Sequence, residues 1–262
     1  MKSNTLALIF AGLYSMSVSA DPLDLSDCDK LYSQRGAQLI PAAQCYLKTM
    51  SPSASEADRR KITERAFIAL SAAVNDGPKT AAEADAIVQG LKLVGDLEKS
   101  APGSADLAYW RAVFVSFDAM RKDRGSPLPT NLFKVLKSIQ QDLRSAMTLD
   151  ASLHLQGPNR VLGIMHTQMP GIVGGDKALA ETLLQEAYQK APELSANQIA
   201  YARILSIRGK TDPAKSVLSR FLALSDRELD PYPQEPLRSV KPELERDRKA
   251  ARTLLDELNS EE

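Results

Sequence analysis

Gly175-Asp176-Lys177-Ala178-Leu179-Ala180-Glu181-Thr182-Leu183-Leu184 is followed, 34 residues later, by Gly209-Lys210-Thr211-Asp212-Pro213-Ala214-Lys215-Ser216-Val217-Leu218. Glycine, alanine and leucine recur at the same three offsets, and each has a physical task in a helix-turn-helix unit. The glycines, Gly175 and Gly209, supply the left-handed backbone that ends a first helix. Ala180 and Ala214, near the start of the second helix, let two helix axes come close, and Leu184 and Leu218, one turn on, fill the groove between them. In the upstream copy Leu179, Ala180, Leu183, Leu184, Ala187 and Tyr188 make one apolar stripe, Asp176 is the N-cap, and Pro192 ends the helix. In the downstream copy Gln198, Tyr201, Ala202 and Leu205 share a face of the first helix, while Ala214, Leu218 and Phe221 line the second.

A 34-residue period is the length of a tetratricopeptide unit. Apolar positions recur at helical spacing almost everywhere after residue 26, and no alternating run is long enough for a strand. The expected fold is all-α: a solenoid of tetratricopeptide-like helix-turn-helix hairpins with a C-terminal capping helix. Working outward, Ile139, Leu143 and Ala146, followed by Asp150, match the second helix of an earlier unit whose first helix spans residues 105–122. The charged, proline-bearing stretch 121–129 between them reads as a long solvated loop. Residues 55–75 and 79–99 are amphipathic and form a further hairpin about Asp76-Gly77-Pro78. Pro231, Pro233, Pro236 and Pro242 mark an extended linker before a last helix on which Leu244, Ala251, Leu254, Leu255 and Leu258 share a face. The expected divisions are a signal peptide over 1–20, N-terminal hairpins over 21–100, repeats over 101–226, a linker over 227–240 and a capping helix over 241–262.

The first 20 residues read as a secretory signal: Lys2 is basic, residues 6–14 are apolar, and Val18-Ser19-Ala20 offers small residues for cleavage. The apolar run is shorter than the roughly 20 residues that a spanning helix needs, so no integral membrane segment is expected in the mature chain. Cys28, preceded by Asp27, is a poor lipid-acceptor cysteine. These features imply a soluble, exported, periplasmic protein. Lysine plus arginine and aspartate plus glutamate stand at 33 each, which leaves no basic footprint for nucleic acid. Cys28 and Cys45 are the two cysteines, suited to an oxidising compartment. A turn at Arg35-Gly36 would set them opposite each other on antiparallel helices as a disulfide; the alternative is two unrelated buried thiols.

A search for catalytic chemistry returns little. Gly171-Ile172-Val173-Gly174-Gly175-Asp176-Lys177 invites a phosphate-loop reading, but the lysine is followed by Ala178 where serine or threonine is needed, and Asp176 puts a negative charge on the helix cap. A turn followed by a capped helix is the better reading. His154 and His166, the two histidines, have no cysteine or carboxylate at ligand spacing from both, so no metal site is expected. His166 is read as a packed, hydrogen-bonded ring. No nucleophile elbow is present, and no cofactor is called for. Trp110 beside Tyr109 is either core or the wall of a ligand pocket, with core the simpler reading.

The best repeat carries about five residues more than a 34-residue unit allows. The excess falls in residues 167–174, where Met169, Pro170, Gly171, Ile172, Val173 and Gly174 make an apolar segment in a turn that needs only to reverse the chain. Either these side chains fold back over their own hairpin, or they form a patch that meets a partner.

Gly157-Pro158-Asn159-Arg160-Val161-Leu162-Gly163, Pro170, Gly174-Gly175-Asp176, Tyr201-Ala202 and, upstream, Tyr109-Trp110-Arg111-Ala112 resemble the T-component family of TRAP-transporter-associated periplasmic proteins. The resemblance covers about half of the chain. It implies a helical protein that pairs with an extracytoplasmic solute-binding protein, and a homo-oligomer with an apolar-lined channel; the missing catalytic constellation separately gives the expectation that the chain is not an enzyme. Typical members are lipid-anchored, and the signal here lacks an acceptable acylated cysteine. The expected function is therefore that of an exported adaptor; the alternatives are a carrier of a small lipophilic ligand and an envelope enzyme whose catalytic residues form no motif.

Overall fold

The computed structural model describes residues 24–76, 81–122, 132–232 and 241–260. The signal segment 1–20, Gly77-Pro78, most of the 121–129 loop, and Pro233 and Pro236 of the linker lie outside the described residues. Among the described residues the chain is all-helical, with eleven α-helices and no strand. None of these helices is long and apolar enough to cross a membrane.

The chain opens with α1 (Ser26–Gln34), a 3-10 turn at Gly36–Gln38 and α2 (Leu39–Lys48). The reversal sits at Arg35 and Gly36, with φ of 58° and 53°, and it brings Cys28 and Cys45 to a Cα separation of 5.4 Å, where they form a disulfide. A buried polar cluster lies beside the bridge. Asp29 Oδ1 accepts from the Tyr46 hydroxyl at 2.5 Å and from Arg65 Nη1 at 2.6 Å. Arg65 belongs to α3 (Glu56–Asp76), so the ion pair ties the first hairpin to the next helix. Ser55 caps α3: its Oγ accepts the Asp58 amide at 3.1 Å and donates back to the Asp58 carboxylate at 2.7 Å, which satisfies one of the otherwise unpaired amides of the first turn.

Eight further helices follow: α4 (Ala81–Glu98), α5 (Ala105–Lys122), α6 (Leu132–Leu149), α7 (Leu153–Gln168), α8 (Lys177–Lys190), α9 (Ser195–Ile207), α10 (Thr211–Ala223) and α11 (Lys241–Ser260). The even-numbered helices from α4 to α10 each pack against the odd-numbered helix before and the one after. The odd-numbered helices also touch one another in the order α3, α5, α7, α9, so they form an inner row. This arrangement explains the breadth of burial on α9, where Asn197, Gln198, Ile199, Ala200, Ala202, Ile204 and Leu205 are all covered.

The close approaches are set by small residues. A Cβ on Gly163 of α7 would lie 2.6 Å from Leu184 Cγ of α8, and one on Gly90 of α4 would lie 2.4 Å from the Phe114 ring of α5. Ala180 and Ala214 are fully buried, as are Leu218 and Phe221, and Leu184 is nearly so. Asp176 caps α8, its Oδ1 accepting the amides of Ala178 at 2.9 Å and Leu179 at 3.0 Å. Two details differ from the sequence reading. Gly209 has the expected left-handed backbone (φ 70°), but in the upstream copy that backbone belongs to Gly174 (φ 91°) and not to Gly175. Gly175 is glycine for another reason: a Cβ there would stand 1.9 Å from the Met169 carbonyl oxygen.

The last helix does more than cover the end of the row. Ala251 and Leu258 of α11 are buried in an apolar cluster with α9 and α10, and Arg248 donates to the carbonyls of Leu222 and Leu224 at 3.3 and 2.6 Å. Its first turns reach back to the opposite end of the fold. Glu243 accepts from the Tyr32 hydroxyl at 3.0 Å and pairs with Arg35, and Arg246 donates to Asp76 at 2.9 Å. The helix read as an end cap therefore also bridges to α1 and α3.

Candidate functional site

The chain turns sharply within the first residues of α7. His154, Leu155 and Gln156 hold three consecutive left-handed conformations, with φ of 47°, 55° and 65°, a run that L residues adopt only at a cost. Gly157-Pro158 follows and starts the regular part of α7. Pro158 is suited to a first helical turn, where no amide is required, and a Cβ on Gly157 would press on Tyr109 Cε2 at 3.0 Å.

The turn is held by buried polar groups. Asn197 of α9, fully buried, donates to the Leu155 carbonyl at 3.2 Å and to the Ala187 and Ala191 carbonyls at 3.2 and 2.9 Å. Its side-chain oxygen accepts from Arg160 Nη1 at 2.8 Å, and the same nitrogen reaches the Leu155 carbonyl at 3.2 Å. Arg160 is thus fixed by neutral acceptors. Burial pushes the Tyr109 phenol up, and the Arg160 guanidinium beside it offsets part of that rise.

His154 projects from the same turn into an aromatic and acidic surrounding. Its ring lies 4.8 Å from that of Tyr109 and 5.1 Å from that of Trp110. Nε2 is 3.1 Å from Asp106 and Nδ1 is 3.6 Å from Glu64. Both carboxylates come from distant parts of the sequence, Glu64 on α3 and Asp106 on α5. The three groups form ion pairs when His154 is protonated, and among the described residues no cluster has the makeup of a metal site. Burial pushes the imidazole down, but the hydrogen-bonding and charge contributions of Asp106 and Glu64 outweigh it and hold its pKa above 6.5. A raised folded-state pKa contributes stability that is full below the unfolded value and is lost as pH rises through the folded one. His166 opposes this, because burial holds its pKa down and its contribution is lost as pH falls below the unfolded value. Comparing the parent with His154→Gln by urea unfolding between pH 5.5 and 9 is expected to show a stability advantage for the parent that shrinks as pH rises. A pH-independent difference would mean that His154 is merely packed.

Two neighbouring concavities lie along the inner row. The first, a chamber of about 230 Å³, is walled by Tyr109, Trp110, His154 and Arg160, by Asp76 of α3, and by Glu243, Leu244 and Arg246 of α11. The second, a groove of about 450 Å³, is lined by Val113, Phe117, Met120, Ile139, Val161, Ile164 and Met165. Ser71, Asn75, Tyr109 and Arg160 border both. An apolar lining with a few converging polar groups is the usual makeup of a ligand site. Tyr109 and Trp110 are each 5% exposed and also stand in the chamber wall, so the two readings of this pair were not exclusive.

The apolar segment identified in the sequence lies away from the chamber, at the far end of α7. Residues Gly171–Val173 form a 3-10 turn, closed by the Gly175 amide donating to the Pro170 carbonyl at 3.1 Å. Only Met169 folds back: it is buried and borders the groove. Ile172 is 89% exposed, and Val173 is half-buried. Burial of the whole segment, one of the two sequence readings, is therefore corrected: Ile172 sits on the 3-10 turn itself and stays in solvent. His166 also departs from expectation. It is buried, yet among the described residues neither ring nitrogen makes a hydrogen bond of good geometry, with the Gly174 backbone as a polar neighbour.

Arg160 was quoted in the sequence only as part of a motif, and neither it nor His154 was read as a site residue. The signal that could have marked them is Gly157-Pro158, which starts a helix directly after a reversal and so places neighbouring side chains on an inner face. Comparison of the chain with protein-family models finds no match, and comparison with curated proteins finds none either.

Proposed function

We propose that this chain is an exported adaptor: a tetratricopeptide-like solenoid of helical hairpins that works in the periplasm without catalysing a reaction and captures a protein partner through its 169–174 turn. The observation that carries the reading is Ile172, a large apolar side chain 89% exposed on a turn that is anything but loose. Met169 anchors one side of the turn in the core, and Asp176, through its two amide bonds, fixes the other. An exposed apolar group on a rigid support loses little conformational entropy on binding. The resemblance to TRAP T-components names an extracytoplasmic solute-binding protein as the partner and a second copy of the chain as a further one.

The double substitution Ile172→Ser with Val173→Ser tests this. Both positions lie outside the core, so the helical content should stay the same and stability should change by no more than about 0.5 kcal/mol. Capture of the solute-binding protein from native envelope extract should fall at least tenfold. Unfolding of the variant, or capture equal to that of the parent, would place the binding surface elsewhere. A second reading, carriage of a small lipophilic ligand, has its own support in the 450 Å³ apolar groove.

A further inference from the structure

The geometry points to the chamber and groove as a binding site for a small monocarboxylate with an apolar chain, its carboxylate on Arg160 and its chain along the inner face of α5 and α7. This site rests on the carrier reading; it shares Met169 with the 169–174 turn but neither Ile172 nor Val173, so either can fail alone.

Charge bookkeeping in the chamber carries the argument. The carboxylates of Asp76 and Glu243 are met by Arg246 and Arg35, and Asp106 and Glu64 face His154. Arg160 is different: half-buried, it bonds only to neutral oxygens, and among the described residues it has no carboxylate partner. A guanidinium partly removed from water without a counter-charge gains from an arriving carboxylate. A single guanidinium with no carboxylate of its own among the described residues, set beside the paired Asp76 and Glu243, suits a monoanion and disfavours a polyanion such as a nucleotide. The same wall holds Trp110, whose indole N–H is buried and has no acceptor among the described residues. The groove that opens beside Arg160 supplies an apolar surface for the rest of the molecule.

Trp110 is the single tryptophan, so its fluorescence reports on the site without a label. The mature protein is titrated with decanoate, below its critical micelle concentration, and with decan-1-ol, which has the same chain and no charge. Decanoate is expected to bind saturably and at least tenfold more tightly than the alcohol. Arg160→Gln should remove that preference and Arg160→Lys should keep part of it. Met120 borders the groove and is 51% exposed, so Met120→Glu leaves the core untouched and should weaken decanoate at least fivefold. It decides the matter if Arg160→Gln does not fold. No saturable binding, equal affinities for acid and alcohol, a preference that survives Arg160→Gln in a folded protein, or decanoate affinity unchanged in Met120→Glu would each overturn the assignment.

Discussion

Phe114→Ala is expected to lower the unfolding free energy by about 3–5 kcal/mol, a large share of the roughly 5–15 kcal/mol that holds an ordinary domain folded. Phe114 is fully buried, and its ring centroid lies 6.0 Å from that of Phe67, 6.1 Å from that of Trp110 and 5.9 Å from that of Phe117. It fills the space that Gly90 leaves between α4 and α5, so the two residues should be strongly coupled. In the parent, Gly90→Ala puts a methyl 2.4 Å from the ring and should cost about 1–3 kcal/mol. In the Phe114→Ala background the clash is gone, and the preference of a helix interior for alanine over glycine, about 1 kcal/mol, should make the same change neutral or stabilising. Urea unfolding of the four proteins gives the cycle. Additive effects would mean that α4 and α5 do not meet at this pair.

Loss of the Cys28–Cys45 bridge should have the next largest effect. The cysteines are 17 residues apart in sequence, and closing a loop of this size stabilises by about 3 kcal/mol on the chain-entropy estimate. Cys28→Ala with Cys45→Ala, in place of serine because Cys28 is only 1% exposed, should therefore destabilise by that amount in the absence of reductant. With reductant the parent should fall towards the variant. Alkylation of the denatured, unreduced protein should label no thiol. Two labelled thiols in protein isolated from the envelope, or equal stability of variant and parent, would refute the bridge as a stabilising element.

The helical class and much of the local geometry were legible because they depend on short-range chemistry. The 3.6-residue spacing of apolar side chains, Asp176 as a cap and Ala180, Leu184, Ala214 and Leu218 in helix interfaces follow from neighbours in sequence. So does the hairpin that pairs Cys28 with Cys45, whose reversal needs Gly36. Exchange of roles between Gly174 and Gly175 was not legible, since a left-handed residue and a residue with no room for a Cβ both read as glycine. His154 and His166 were weighed only as a metal pair and set aside for want of a ligand spaced from both, yet Glu64 and Asp106 reach His154 from other helices, and no spacing rule within one segment finds them. Arg160 entered the sequence reading only as one residue of a quoted motif; its lack of a carboxylate partner among the described residues emerges only once the ion pairs of α1, α3 and α11 are in place. The return of α11 to Arg35 and Asp76 is a long-range closure of the same kind.

The adaptor reading meets its most direct test in the native envelope, with the full chain carrying a photo-reactive phenylalanine analogue at position 172. The same analogue at Phe133, 65% exposed on α6, serves as the control for exposure alone. The account predicts a crosslink from position 172 to an extracytoplasmic solute-binding protein and none from position 133. No such crosslink at 172, or an equal yield from both positions, would contradict it.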